Sequence, residues 1–206
     1  IESKDYKSVE YFINKGFDLE LKNDNDETAL SIAVNGNDIK LAKLLIENGA
    51  SVNIDKEDEW SYSYLSMALI NNFRDMAKLL IEYGSNVNEE FEFQYFGFQE
   101  QETPLIWASD RDDLELCKML VESGATINKE YGGYTALGKA AINSVKCTKY
   151  LIEQGADILK GAPILNTLWN DSLETAKLLF DAGVPMRASY KSMYDLSYES
   201  LLNLAL

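Results

Sequence analysis

The sequence predicts an all-α repeat solenoid, a tandem stack of helix–turn–helix units, and three observations carry that prediction. Five segments running through a glycine align with one another: AKLLIENGASVN, AKLLIEYGSNVN, CKMLVESGATIN, TKYLIEQGADIL and AKLLFDAGVPMR. Their glycines, Gly49, Gly84, Gly124, Gly155 and Gly183, follow Gly16 of a more divergent unit at spacings of 33, 35, 40, 31 and 28 residues, a period in the range of repeat arrays. Upstream of these glycines lie shorter apolar segments, ETALSIAV, SYLSMALI, TPLIWASD, TALGKAAI and APILNTLW, so a full unit supplies two short helices.

Each helix has local signals for its ends. Thr28, Ser63, Thr103 and Thr135 stand where a first helix starts, and a hydroxyl there satisfies amides that have no partner within the helix. Pro104 and Pro163 fit the first helical position, which needs no donor and suits a fixed φ. Asp38, Asp113, Ser144 and Ser172 are suited to cap the second helices. Those helices place apolar residues at i, i+3, i+4 and i+7, as in Ile39, Ala42, Leu45 and Ile46, with Leu41 and Leu44 widening the stripe. A glycine then ends each one, because the residue past a helix commonly takes a left-handed conformation.

TPLIWAS at 103–109, TALSIAV at 28–34, GASVN at 49–53 and GADI at 155–158 resemble the ankyrin-repeat family, whose unit runs through T-P-L-H-x-A-A, a leucine-rich second helix and G-A-D-V-N. The resemblance implies an ankyrin-type stack of helix pairs with β-hairpin fingers projecting to one side. It covers nearly the whole of 1–206 as a single domain, with units near 1–22, 23–54, 55–89 with an insertion at 90–100, 101–129, 130–159 and 160–187, then a C-terminal helical cap at 188–206. The family's histidine after T-P-L is replaced by Ser31, Ser66, Ile106, Gly138 and Leu165, so its local hydrogen bond is absent or remade. APILNTLW comes almost directly after GADILK, which predicts a truncated last finger.

One finger is enlarged. The stretch EEFEFQYFGFQEQ (89–101) holds four of the eight phenylalanines, Phe91, Phe93, Phe96 and Phe98, together with Tyr95. Phe91, Phe93 and Tyr95 alternate with Glu92 and Gln94 as in a strand with one covered face, and the phase shifts around Gly97, which predicts a turn or bulge. The pattern is that of a long hairpin with an apolar face and an acidic rim, and that face either covers adjacent fingers or meets a partner.

The family register marks fingertips at Asp24, Asn25 and Glu27; Glu59, Trp60 and Tyr62; Gln99, Glu100 and Glu102; and Tyr131 and Tyr134. It marks the concave ends of the first helices at Asn35; Ile70 and Asn71; Asp110 and Arg111; Ile142 and Asn143; and Trp169. Large aromatics mixed with carboxylates have the composition of interface hot spots. The expected partner-binding set is Trp60, Tyr62, Phe91, Phe93, Tyr95, Phe96, Phe98, Asp110, Arg111, Tyr131, Tyr134 and Trp169. Against it stands packing of each ring on a neighbouring finger. Trp107, at an apolar first-helix position, is expected in the core.

Composition narrows the function classes. With 46% hydrophobic and 26% charged residues the chain can bury a core, and no apolar run approaches the length of a membrane span. A net charge of -15 argues against nucleic acid and anionic membranes and favours a basic partner, although acidity also serves solubility. The absence of histidine removes Ser-His-Asp and Cys-His catalysis and His-ligated zinc. Cys117 and Cys147 fall in apolar helical patterns and read as small buried hydrophobes. The acidic patches at 57–59 and 110–113 lack the glycine-marked spacing of a calcium loop, and Gly132-Gly133 reads as a finger turn, not a phosphate cradle. No enzyme activity, cofactor or metal is expected. The chain reads as a monomeric module binding a basic protein through its fingers and concave face, with an inhibitor or immunity-type protein as one concrete version. The alternative is the targeting or autoregulatory arm of a larger effector. A cytoplasmic location is favoured, and export stays open because the sequence starts at Ile1.

Overall fold

The computed structural model describes residues 6–54, 62–95, 98–167 and 172–185, and of residues 94, 95 and 98–100 the backbone alone. The chain divides into two compact units, Ile1–Phe91 and Glu92–Leu206. The expected C-terminal cap at 188–206 lies outside the described residues.

In the first unit, α1 (Tyr6–Asn14) precedes two helix pairs, α2 (Ala29–Asn35) with α3 (Ile39–Glu47) and α4 (Tyr64–Ile70) with α5 (Arg74–Glu82). First helix packs on first helix and second on second, α2 on α4 and α3 on α5. The second unit repeats the plan with α6 (Pro104–Asp110) and α7 (Leu114–Glu122), α8 (Ala136–Asn143) and α9 (Val145–Glu153), and α10 (Pro163–Asn166) and α11 (Leu173–Asp181). Among the described residues the strands form two hairpins, β1 (Phe91–Tyr95) paired with β2 (Phe98–Glu102), and β3 (Glu130–Tyr131) paired with β4 (Tyr134–Thr135).

The caps act where the sequence places them. The Thr28 hydroxyl accepts from the Ser31 amide at 3.1 Å, Asp38 from Leu41 at 3.0 Å, Thr103 from Ile106 at 3.3 Å and Asp113 from Leu116 at 3.0 Å. Ser172 differs: it makes no such cap, because its hydroxyl is engaged at 2.6 Å by that of Thr175. Between α8 and α9 Ser144 serves twice, ending the first helix and capping the second through the Cys147 amide at 2.9 Å. The three preceding pairs turn through an Asn or Asp at positive φ instead, Asn37, Asn72 and Asp112, residue types whose short polar side chains tolerate that region.

At the far end of α3, Gly49 sits at φ +99°. The Gly49 amide donates to the Ile46 carbonyl and the Ala50 amide to the Leu45 carbonyl, both at 3.0 Å, which is the Schellman arrangement. The chain then runs to an asparagine that binds the next repeat. Asn53 donates from Nδ2 to the Gly84 carbonyl at 3.2 Å and accepts from the Asn86 amide at 2.8 Å, and Asn128 accepts from the Asp157 amide at 2.8 Å.

The missing histidine is replaced in more than one way. Ser31 and Ser66 each donate to the carbonyl of their own capping residue, Thr28 and Ser63, at 2.9 Å. Gly138 instead leaves room for Asn166, whose Nδ2 donates to the Gly138 carbonyl at 3.0 Å and would stand 3.1 Å from an added Cβ. The β3–β4 hairpin turns through Gly132 and Gly133, both at positive φ as a type I′ turn requires. The corresponding segment before α10 forms no strand pair; it reverses through Gly161 at φ +70° and Ala162 at φ +44°, and Pro163 opens the helix at once. That is the truncated finger.

The cores consist of small and branched residues on facing helices, such as Leu30, Leu41, Leu45, Leu65 and Leu80 in the first unit and Leu105, Leu120, Leu137 and Leu151 in the second. Among the described residues one core hydroxyl is unsatisfied: Thr148 is fully buried and its Oγ1 has no hydrogen-bond partner. A buried hydroxyl without a partner costs about 1–3 kcal/mol, and an apolar isostere does not incur that cost. Thr148→Val is therefore expected to stabilise the protein by about 1 kcal/mol. An unchanged or lower denaturant midpoint would show that the hydroxyl is satisfied after all.

Candidate protein-binding site

Thr103 must turn the chain from the enlarged finger into α6, so β2 ends against the start of that helix with Glu102 at its base. Phe91 and Phe93, on alternate positions of β1, are 3% and 8% exposed, with Glu92 half-buried between them. The Phe93 ring meets Trp107 of α6 edge-on, with centroids 4.6 Å apart and planes at 83°. As they stand these two rings are not open to a partner: their apolar area is taken up inside the protein, and for Phe93 the cover is an indole that the sequence already assigned to the core.

Arg111 follows Trp107 by one helical turn, a spacing that puts both on one face. Its guanidinium carbon lies 3.2 Å from the Trp107 centroid and 6.0 Å from that of Phe93, and Nη1 donates to the Trp107 carbonyl at 3.2 Å. Around it two carboxylates and two cations alternate. Nη1 is 3.6 Å from Asp110 and 3.9 Å from Glu102 Oε2, while Lys139 Nζ, from α8, is 3.3 Å from Glu102 Oε1 and 3.8 Å from Asp110. Lys139 also stands 4.8 Å over the Tyr134 ring.

Glu102 is the group most altered by this setting. The family register places it at a fingertip, yet it is 4% exposed at the finger's base, and its Oε2 accepts no hydrogen bond. Burial raises its pKa above the ordinary glutamate range; the Lys139 charge opposes the rise and that of Asp110 adds to it. Each carboxylate of this cluster faces a cation, Asp110 and Glu102 both standing within ion-pair distance of Arg111 and Lys139.

The remaining expected residues divide. Tyr62, just before α4, is 45% exposed. Tyr131 and Tyr134 are half-buried on the short finger, and the Tyr131 hydroxyl donates to Gln101 Oε1 on the preceding finger, in a short contact. Asp110 is half-buried and Arg111 exposed. Tyr95 and Phe98 lie on β1 and β2, and Trp60, Phe96 and Trp169 lie outside the described residues, as does the acidic run at 57–59. The structure thus brings together Phe93, Asp110, Arg111 and Tyr134 through Glu102, Trp107 and Lys139. The W-x-x-x-R spacing could have flagged half of that cluster; nothing in the sequence flags Lys139, which reaches it from the next repeat.

The chain matches the profile of Ankyrin repeats (3 copies) over residues 1–91 and 92–162. It belongs to the ankyrin-repeat family. Among solved structures it resembles an ankyrin repeat domain from Acinetobacter baumannii AYE, at 24% identity and a TM-score of 0.70 over 88% of this chain and 94% of that one. It also resembles the human ASB11 ankyrin repeat domain, at 22% identity and a TM-score of 0.67 over 97% and 92%. Comparison with curated proteins finds no match. Ankyrin repeats are in general protein–protein interaction modules, and their fold is in general non-catalytic. Among the described residues of this ankyrin-repeat protein no helix is long and apolar enough to cross a membrane, and no three His, Cys, Asp or Glu side chains are grouped to hold a metal ion.

Two outcomes are expected from the cluster. Phe93→Ala removes a buried ring and should lower the unfolding free energy by about 3 kcal/mol or more, read from the denaturant midpoint. The second concerns pH. Because the folded pKa of Glu102 is raised, its contribution to stability is fully present below the unfolded glutamate pKa and is lost as pH rises through the folded value. Relative to Glu102→Gln, which cannot titrate, the wild type should therefore gain stability as pH falls from neutral toward the ordinary glutamate range. A difference between the two that stays flat with pH would show an unshifted carboxyl.

Proposed function

We propose that this ankyrin-repeat protein is a non-catalytic module that captures a basic protein through its finger and first-helix faces, and that it acts as an inhibitor or immunity-type protein toward it. The observation that carries the reading is the combination, in one chain of net charge -15, of an interaction fold with tyrosines kept at the surface on the fingers, Tyr62 above all. Acidic surface accelerates encounter with a cationic partner and disfavours wrong ones, while the rings supply contact area at little entropic cost. The partner-facing set is Tyr62, Asp110, Arg111, Tyr131 and Tyr134, with Trp60, Tyr95, Phe96, Phe98 and Trp169 proposed from the sequence pattern.

Affinity capture from the native source, identification by mass spectrometry and kinetics with the purified partner test this directly. The association rate should fall steeply between low and physiological salt, as expected for charges screened over about 10 Å at 0.1 M. Tyr62→Ala should cost about 2 kcal/mol of binding, the size of a hot-spot loss, while changing stability by less than about 0.5 kcal/mol. A neutral or acidic partner, or an association rate indifferent to salt, would defeat the proposal.

A further inference from the structure

Cys117 of α7 and Cys147 of α9 are the chain's two cysteines, and both are fully buried. They stand at different register positions of successive repeats. Earlier repeats have Ala42 and Ala77 where Cys117 falls, and Leu41 and Met76 where Cys147 falls, so packing there is served without a thiol. The two cysteines nevertheless face each other: their Sγ atoms are 3.9 Å apart, with the Cys117 thiol donating to Cys147 Sγ. Their settings differ. Cys147 lies in the first turn of α9, where Ser144 caps its amide at 2.9 Å and the helix end favours negative charge. The hydrogen bond from Cys117 lowers the Cys147 pKa below the ordinary thiol range, with help from Ser144, while burial and the charges of Asp112 and Asp113 oppose the fall. Cys117 is held as the thiol, pushed up by its bond to Cys147 and by burial, with the Ser109 hydroxyl 3.5 Å away. Cys147 Sγ also stands 3.9 Å from Asp112 Oδ1, which accepts a short hydrogen bond from the Ser144 hydroxyl. Asp112 is exposed in the turn between α6 and α7, so one residue touches both the buried sulfur and solvent.

We propose that Cys117 and Cys147 form a dithiol site for hydrogen peroxide, in which Cys147 is oxidised first and Cys117 then closes a disulfide that staples α7 to α9. The Cys147 thiol loses its proton by way of Asp112, and the sulfur attacks one oxygen of the peroxide. The O–O bond breaks, Cys147 becomes a sulfenic acid, and the departing hydroxide takes up that proton as water. The Cys117 sulfur then attacks the sulfenic sulfur; the S–O bond breaks, and the hydroxyl leaves as water with the Cys117 proton. Two thiols and one peroxide give one disulfide and two waters, the thiols losing two electrons to the peroxide oxygens. The sulfurs must close to the bonded separation of about 2.0 Å, which draws α9 toward α7. Peroxide is close to water in size and enters past Asp112, whereas a bulky disulfide oxidant has no route to sulfurs that are fully buried. The site does not depend on what the fingers bind.

In the test, the full chain is reduced, freed of reductant and treated with hydrogen peroxide; free thiols are then counted and peptides mapped by mass spectrometry. Loss of both thiols, a Cys117–Cys147 linkage within one chain and full recovery with dithiothreitol are expected. Glutathione disulfide in place of peroxide should act about tenfold or more slowly. Hydrogen exchange reads the staple: α9 amides of the oxidised chain should exchange about tenfold or more slowly than those of the reduced chain. In Cys117→Ala the sulfenic acid meets no second thiol, so dimedone should label Cys147, and in Cys147→Ala it should leave Cys117 unlabelled. If either variant fails to fold, the peptide map and the exchange of the wild type decide. The proposal is overturned if both thiols persist at a peroxide dose that fully oxidises free glutathione, or if the linkage joins two chains. It is equally overturned if glutathione disulfide matches peroxide, if dimedone marks Cys117 in preference to Cys147, or if α9 exchange is unchanged by oxidation.

Discussion

The amide of the residue after each closing glycine bonds to the carbonyl five residues before it, at Ala50, Ser85, Ala125, Ala156 and Val184. This single reversal is what the repeats depend on. It ends the second helix at a fixed place and aims the chain at the neighbouring repeat, and it requires a left-handed residue that only glycine adopts without strain. The residues just past the glycine can then serve as a latch, because Asn53 and Asn128 arrive at the same point relative to the next repeat's loop. Packing of like helix on like helix comes afterward, as a consequence of where the chain has been returned.

The parts of this plan that were legible in the sequence are those set by near neighbours. A threonine three residues before the amide it caps, a proline opening a helix and two glycines between short strands each announce themselves within a few positions. Ser172 shows the limit even of local reading, since a hydroxyl three residues on, that of Thr175, competes for it. The cluster around Glu102 was not legible, because Lys139 stands on the next repeat and its approach depends on how two repeats pack. Reading Glu102 as a fingertip failed for a related reason: the register counts back from Thr103 as in a finger of ordinary length, and the long hairpin draws that position inward.

Burial of Phe91 and Phe93 changes what the enlarged finger contributes. An aromatic strand beside a carboxylate-rich chain is a liability when its face is open, and here at least one ring closes over an indole. The covered side anchors the base of the finger, and the tryptophan it covers presents its face to Arg111. One side chain thus packs the finger's ring and also carries the cation of its own helix.

The residues that the second helices bury change character from repeat to repeat. At the position before the recurring A-K or its equivalent stand Leu41, Met76, Leu116, Cys147 and Thr175, all buried. The neighbouring position passes through Ala42, Ala77, Cys117 and Thr148, with the two thiols 3.9 Å apart. Apolar volume is thereby exchanged for sulfur and hydroxyl toward α9 and α11, where Thr175 depends on a hydrogen bond to the Ala141 carbonyl in place of a leucine's contacts. Since local opening follows the density of apolar contact, amide protons of α9 and α11 are expected to exchange with solvent sooner than those of α7. The order of repeats would then set a gradient of opening free energies within the second unit, with the helix pair that carries Trp107 and Arg111 on its slow-exchanging side.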